Sequence, residues 1–330
     1  MARKKTGGSR PSADAGSLAP GLPDRRLMEQ QMAQIGRLLH SHDFASIEEA
    51  NAFLQEMLAT GGLPEAVPQT PLDAAQELIY QALESTGKRR VTLARKALTV
   101  SPDCADAYVL LAEATRDPRE AQALYEQGTE AGERALGPQP FKEDVGHFWG
   151  IMETRPYMRA RQGLAEVLWV LGERQHAIGH ATDLLRLNPG DNQGIRYLLV
   201  NWLLAEGDDD ALERLLKLYP DEGSAVWAYT KALWTFRRKG AGAGATLALK
   251  AALRTNPHVP FYLFGLRELP EELPGYIGMG DETEAVSYVA EAITNWIDSE
   301  GALDWFAGSM ERLAQQGGRR PSGPRPRRQR

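Results

Sequence analysis

Five side chains able to handle a charged ligand crowd into nine residues: Glu153, Arg155, Tyr157, Arg159 and Arg161. Arg196 and Tyr197 repeat the arginine and tyrosine pairing further along. An arginine fork matches a carboxylate or phosphate in two parallel hydrogen bonds. A helix N-terminus adds N–H groups that need acceptors. Placed near the starts of adjacent helices, Arg155, Tyr157, Arg159, Gln162, Asn192, Arg196 and Tyr197 would form a partner-binding groove for an acidic peptide or a C-terminal carboxylate. The competing reading is structural. In it, Glu153 and Asp191 neutralise the arginines, and the network fixes how neighbouring segments dock.

Other chemistry is sparser. His147, Glu153 and Arg155 could serve acid–base work beside a small-molecule pocket if a closed cleft gathered them, which is the alternative, enzymatic reading. His176 and His180 have the four-residue spacing that lets two imidazoles share a metal, but Ala177 stands where the zinc-protease motif needs glutamate. Lys239 to Thr246, rich in glycine, has its lysine on the wrong side for a phosphate loop and reads as a turn inside a helical hairpin. No nucleophile, base and orienting acid can be assigned, so the expectation is a chain that is not an enzyme and needs no cofactor or metal.

These groups must be positioned by helices. The chain has 330 residues, 42% hydrophobic and 25% charged, enough for a sizeable core. Its one cysteine, Cys104, permits no internal disulfide. No apolar run is long enough to span a membrane, and no apolar segment follows the basic N-terminus, so a cytoplasmic location is expected. The net charge of −6 conceals basic ends: residues 1–26 carry +4 and residues 319–330 carry +6 around an acidic body. An acidic body disfavours nucleic acid, apart from weak contact by the Arg-rich tail. Residues 1–25 and 317–330 read as disordered tails.

Between the tails, helix signals dominate. Ser46 and Glu49 form a capping box ahead of an apolar stripe through Ala50, Phe53, Leu54 and Met57, and Gly61-Gly62 ends that helix before a proline-rich connector. Residues 26–71 are thus N-terminal helices and connector. Three later segments end alike, at Ala97-Leu98, Leu184-Leu185 and Ala252-Leu253, each followed after three intervening residues by a proline. On a 34-residue frame, small residues such as Ala165, Ala177, Ala232 and Ala245 fall where paired helices approach, and Leu164, Leu184, Leu233 and Leu249 fill the space between pairs. A single hairpin cannot bury its apolar face, so hairpins stack. Residues 72–128 hold degenerate hairpins. An aromatic insert over 129–156, with Phe141, Phe148 and Trp149, is too apolar for a free loop and should pack as a helix. Hairpins resume over 157–316. Trp202, Trp227, Trp234, Trp296 and Trp305 read as packing between them.

Longer motifs add specificity. Asn256-Pro257-His258-Val259-Pro260, Tyr262-Leu263, Gly280-Asp281, Glu284-Ala285, Tyr288, Trp296 and Gly301-Ala302-Leu303 resemble the suppressor of tumorigenicity family. So do His147-Phe148-Trp149-Gly150, Glu153 to Arg159, and Asn188-Pro189 with Asp191 to Gly194, Arg196 and Tyr197. The likeness spans roughly residues 40–307 and is greatest to shorter, soluble bacterial members. It implies a tetratricopeptide-like fold with a binding character, and no catalytic residues. The animal relatives are membrane-anchored, so their location and roles do not carry over. The expectation is therefore an all-α, tetratricopeptide-like helical-hairpin solenoid with an inserted helical segment. Its expected work is that of a scaffold holding a protein or peptide partner in its concave face.

Overall fold

The computed structural model describes residues 25–40, 42–59 and 68–317. The predicted tails lie almost wholly outside these residues, as do Gly61-Gly62 and most of the connector. The chain divides between Ile195 and Arg196 into two compact units. Among the described residues every regular element is helical.

The first unit opens with α1 (Arg25–His40) and α2 (Ile47–Ala59). Ser46 Oγ accepts from Glu49 N at 3.2 Å, and the Glu49 carboxylate reaches back to Ala45 N at 2.7 Å, one residue earlier than a standard capping box. Three hairpins follow: α3 (Pro71–Leu83) with α4 (Gly87–Val100), α5 (Ala105–Ala114) with α6 (Pro118–Leu136), and α8 (Arg155–Val170) with α9 (Arg174–Leu187). A single turn, α7 (Pro140–Glu143), and two 3₁₀ turns, Phe148–Gly150 and Met152–Thr154, precede α8. The start of α3 is fixed chemically. Thr70 and Asp73 exchange side-chain and backbone hydrogen bonds, and Pro71 supplies a preset φ. Such a cap is worth about 1 kcal/mol.

Alanines let the helices pair. Ala75, Ala82, Ala94, Ala97 and Ala107 are fully buried, with Ile79 and Leu110 filling the gaps. The first helices α3, α5 and α8 are neighbours in that order, and α4 and α6 each pack on the following first helix. Helices α6 and α8 approach closely. Gly128 and Gly132, one turn apart, face Ala160 and Tyr157, and a Cβ on Gly132 would sit 2.8 Å from that of Tyr157.

The insert differs from its expected form. Helix α6 continues through Thr129 to Leu136, because Thr129, Ala131 and Gly132 are buried. Gly137, at φ 66°, then stops it. The remaining stretch packs as turns, not as a long helix, since Pro138, Pro140, Gly146 and Gly150 interrupt helical bonding. It still buries its aromatic cargo. Phe141 and Phe148 pack on Tyr157, and the Thr154 hydroxyl, fully enclosed, donates to the Phe148 and Ile151 carbonyls.

The second unit contains α10 (Ile195–Glu206, all but its first residue), α11 (Asp209–Leu218), α12 (Ala225–Lys239), α13 (Ala243–Thr255), α14 (Val259–Leu263), α15 (Glu282–Ile297) and α16 (Ala302–Gly317). The glycine-rich segment after Lys239 is the turn of the α12–α13 hairpin, with Gly240 at φ 68°. Tyr229, Tyr288, Trp296 and Phe306 form its aromatic core. Trp202, Trp227 and Trp305 are buried too, while the half-buried Trp234 donates its indole N–H to Asp209 at 3.0 Å.

The three proline-terminated helices end on buried polar residues: Ser101, Asn188 and Asn256. Asn256 is the most heavily used. Its amide donates to the Asp281 carbonyl at 2.8 Å and to Glu284 at 2.9 Å, while its oxygen accepts from His258 N at 2.9 Å. Glu284, 3% exposed, also accepts from Ala225 N at 2.7 Å and Gly280 N at 2.8 Å. These N–H donors make a buried carboxylate tolerable there.

Candidate functional site

Helix α8 starts at Arg155 with Pro156 in its first turn, so Arg155 and Arg159 lie one turn apart on one face. Arg159 grips Asp106 of α5 in a two-pronged pair, Nε to Oδ1 at 2.9 Å and Nη2 to Oδ2 at 2.7 Å. Its remaining nitrogen donates to both oxygens of Glu29 on α1, at 3.0 and 2.9 Å. Arg155 adds a bond to Glu29 at 3.2 Å, donates to the Trp149 carbonyl at 2.9 Å and lies over the Trp149 ring. Gln76 of α3 donates to Asp106 at 3.0 Å.

The group is largely dry: the Asp106, Glu29 and Arg159 side chains are 3%, 11% and 12% exposed. Burial by itself would push the Asp106 carboxyl up, but the charge and hydrogen bonds of Arg159 carry it below the usual carboxylate range. Burial likewise opposes the Arg159 cation, and Asp106 and Glu29 more than reverse that. Both therefore stay ionised. A pair of this kind contributes little against an apolar replacement but leaves a costly orphan charge when one partner is removed.

The same face extends along α1. Arg26 reaches Glu113 of α5 at 3.0 Å, a carboxylate shared with Arg90 of α4. Gln30 and Arg37 both meet Glu77 of α3. Residues 26, 29, 30 and 37 lie on one side of the helix, and Met28 and Met32 are exposed. Glu29, Glu77, Asp106 and Glu113 were not singled out from sequence, although the helical spacing of the α1 polar residues is a legible signal.

The sequence-predicted residues separate into several local clusters. Arg155 and Arg159 share Glu29. Tyr157 is buried, its hydroxyl accepts from Arg161 at 2.6 Å, and burial pushes its pKa up to about 12. Arg161 in turn pairs with Asp183. Gln162 accepts from Gln193 at 2.7 Å and donates to Glu166 at 2.9 Å. Asn192 is exposed in the turn before α10. Asp191, at φ 49°, accepts from Ile195 N at 2.7 Å. In the second unit, Arg196 and Tyr197 both meet Glu222, at 2.8 and 2.9 Å, and the Arg196 guanidinium lies over the Tyr197 and Tyr219 rings. The carboxylates that neutralise these arginines include Glu29, Asp106, Asp183 and Glu222. Glu153, the partner expected from sequence, is exposed instead. The reason is geometric: Glu153 sits in a 3₁₀ turn ahead of α8, facing away from the packed helices.

His147 and Glu153 are exposed, and no hydrogen bond among the described residues joins them to each other or to Arg155. An open cleft of about 620 Å³ lies elsewhere in the unit, against Glu133, Arg134, Phe141, Tyr157, Arg161 and Asp183. His176 meets Glu173 at 3.5 Å, and His180 meets Arg161 at 3.2 Å. Among the described residues no helix is long and apolar enough to cross a membrane.

The chain is similar to curated proteins of one name group. It is 29% identical over 257 residues to the suppressor of tumorigenicity 7 protein-like of Homo sapiens, covering 71% of this chain and 44% of the relative. It is 27% identical over 267 residues to the suppressor of tumorigenicity 7 protein of Macaca fascicularis, covering 73% of this chain and 50% of the relative. These distant relatives support the family resemblance seen in the motifs. The chain spans about half the length of the curated relatives it matches. No protein-family model matches it.

Proposed function

We propose that this chain is a non-catalytic interaction scaffold of tetratricopeptide type that holds a protein or peptide partner on the first-helix face of its N-terminal unit. One observation carries the reading. A separate helix, α1, lies on that face and is held there by polar side chains: Glu29 on Arg155 and Arg159, Arg26 on Glu113, and Arg37 on Glu77. A face that matches a helix by charge in this way is built like a recognition surface, where electrostatic complementarity sets register and partner choice. The arginines favour an acidic group on the partner. A cytoplasmic location belongs to the same proposal and is supported by the unpaired thiol of Cys104.

Cross-linking of the full chain in its native cells, followed by mass spectrometry, tests the reading. Partner cross-links should map to α3, α5 and α8. Links confined to other surfaces would refute the assignment of the face.

A further inference from the structure

We propose that α1 is a displaceable occupant of the first-helix face, standing in for a partner helix that carries the same charge pattern; this rests on the scaffold reading above. That pattern is a base, an acid three residues later and a second base eight residues after that, as in Arg26, Glu29 and Arg37.

Three features support displacement. The core of the first two hairpins, with Ala75, Ile79, Ala94, Ala97 and Leu110 at its centre, is built from α3, α4 and α5 residues with no α1 residue among its members. Second, α1 docks by charge. Arg26, Glu29, Gln30 and Arg37 hydrogen-bond to the face, beside half-buried Leu27, Ile35 and Leu38, and such polar contacts are a mark of reversible interfaces. Third, among the described residues Asp106 pairs with Arg159 and not with the adjacent Arg155. The face is left one carboxylate short until Glu29 or an equivalent arrives. Glu77 imposes the opposite demand, and Glu113, already paired with Arg90, adds a second point of attraction for a base, so a competing helix must satisfy the charges in a fixed register.

Because α1 is tethered to the face, its local concentration is high and an incoming helix competes at a disadvantage. Binding is weakened by the small fraction of chains in which the face is bare. Partner binding and α1 release are then the same event.

The test uses the full chain and a fluorescent peptide of residues 25–40. Glu29→Gln and, separately, Arg37→Glu loosen the resident helix, and each variant should bind the peptide about tenfold more tightly than the unaltered chain. A peptide carrying Arg37→Glu should bind poorly to these chains and recover on a chain carrying Glu77→Arg. Equal binding by unaltered and loosened chains, with unchanged circular dichroism, would overturn the proposal, as would failure of the charge swap. Cross-links that still map to α3, α5 and α8 in that case would leave the scaffold reading standing, so the two failures are distinguishable.

Discussion

Glu29 and Arg159 are 130 residues apart in sequence, yet the Glu29 carboxylate lies 2.9 and 3.0 Å from one Arg159 nitrogen. Asp106 holds the opposite edge of the same guanidinium. One cation thus joins α1, α5 and α8, and its two anionic partners have different standing. Asp106 belongs to the packed hairpins, whereas Glu29 arrives on the helix proposed to leave.

Asp106 should make the first unit sensitive to acid. Its folded-state carboxyl lies below the ordinary value, so its contribution is complete above about pH 4 and is lost as pH falls through the lowered value. Asp106→Asn should destabilise the unit by about 3 kcal/mol at pH 7, because Arg159 loses its two-pronged partner. The variant should also show a flatter dependence of stability on pH between about 5 and 2. Urea titrations across that range measure both effects. A variant with the parent pH profile would remove Asp106 from this role.

Cys104 should be chemically silent in the folded chain. Its side chain is fully buried, and burial, with the nearby Asp106 charge, pushes its thiol up to about 12. Thiolate is the reactive form, so labelling by a disulfide reagent at pH 8 should require opening of the α3–α5 core. The rate should rise with urea in parallel with loss of helical signal. Fast labelling without urea would show that this core opens freely.

Gly132→Ala should destabilise the α6–α8 contact by about 1–3 kcal/mol, since the added carbon would lie 2.8 Å from Tyr157 Cβ and 3.0 Å from its Cα. The exposed Gly179 on α9 has open space around it, and alanine there should be neutral or slightly stabilising. Thermal melts of the two variants give the comparison. A Gly132→Ala melt at or above the parent temperature would contradict the close approach.

Glu284→Gln should cost the second unit about 2 kcal/mol. The amide turns one acceptor into a donor among Ala225 N, Gly280 N and the Asn256 amide, which leaves at least one buried N–H without a partner. Asn256→Ala should cost a similar amount. The double variant should cost less than the sum, because the two residues share a hydrogen bond. Strict additivity in denaturant melts would contradict the coupling.

Much of this fold was legible because its signals are local. The proline after each second helix and the alanines of the α8–α9 and α12–α13 hairpins report periodicity and helix ends within a few residues. The extent of the insert was less so. Thr129, Ala131 and Gly132 look like an ending, and only their burial against α8 shows why the helix runs on to Leu136. The site was half legible. Arg155 and Arg159 stand out as a pair, but their partners come from distant segments, and nothing near residue 155 names Glu29 or Asp106. Glu153 was the nearest acid in sequence and the wrong one, since adjacency along the chain says little about which way a 3₁₀ turn points. The long family motifs proved informative in another way. Asn256 bonds to Asp281 and Glu284, and Trp296 bonds to Tyr288, inside the second unit, so the signature there describes architecture.

The joints after α4, α9 and α13 close on Ser101, Asn188 and Asn256, all buried, whereas the α12–α13 turn at Gly240 to Gly242 lies open to water. Growth and shrinkage of this chain are therefore confined. A loop lengthened at the Gly240 tip disturbs nothing behind it, but one extra residue beside Asn256 would pull the Glu284 carboxylate off its donors. A reporter or affinity tag belongs at the tip, and the joints set the register to which every hairpin length must conform.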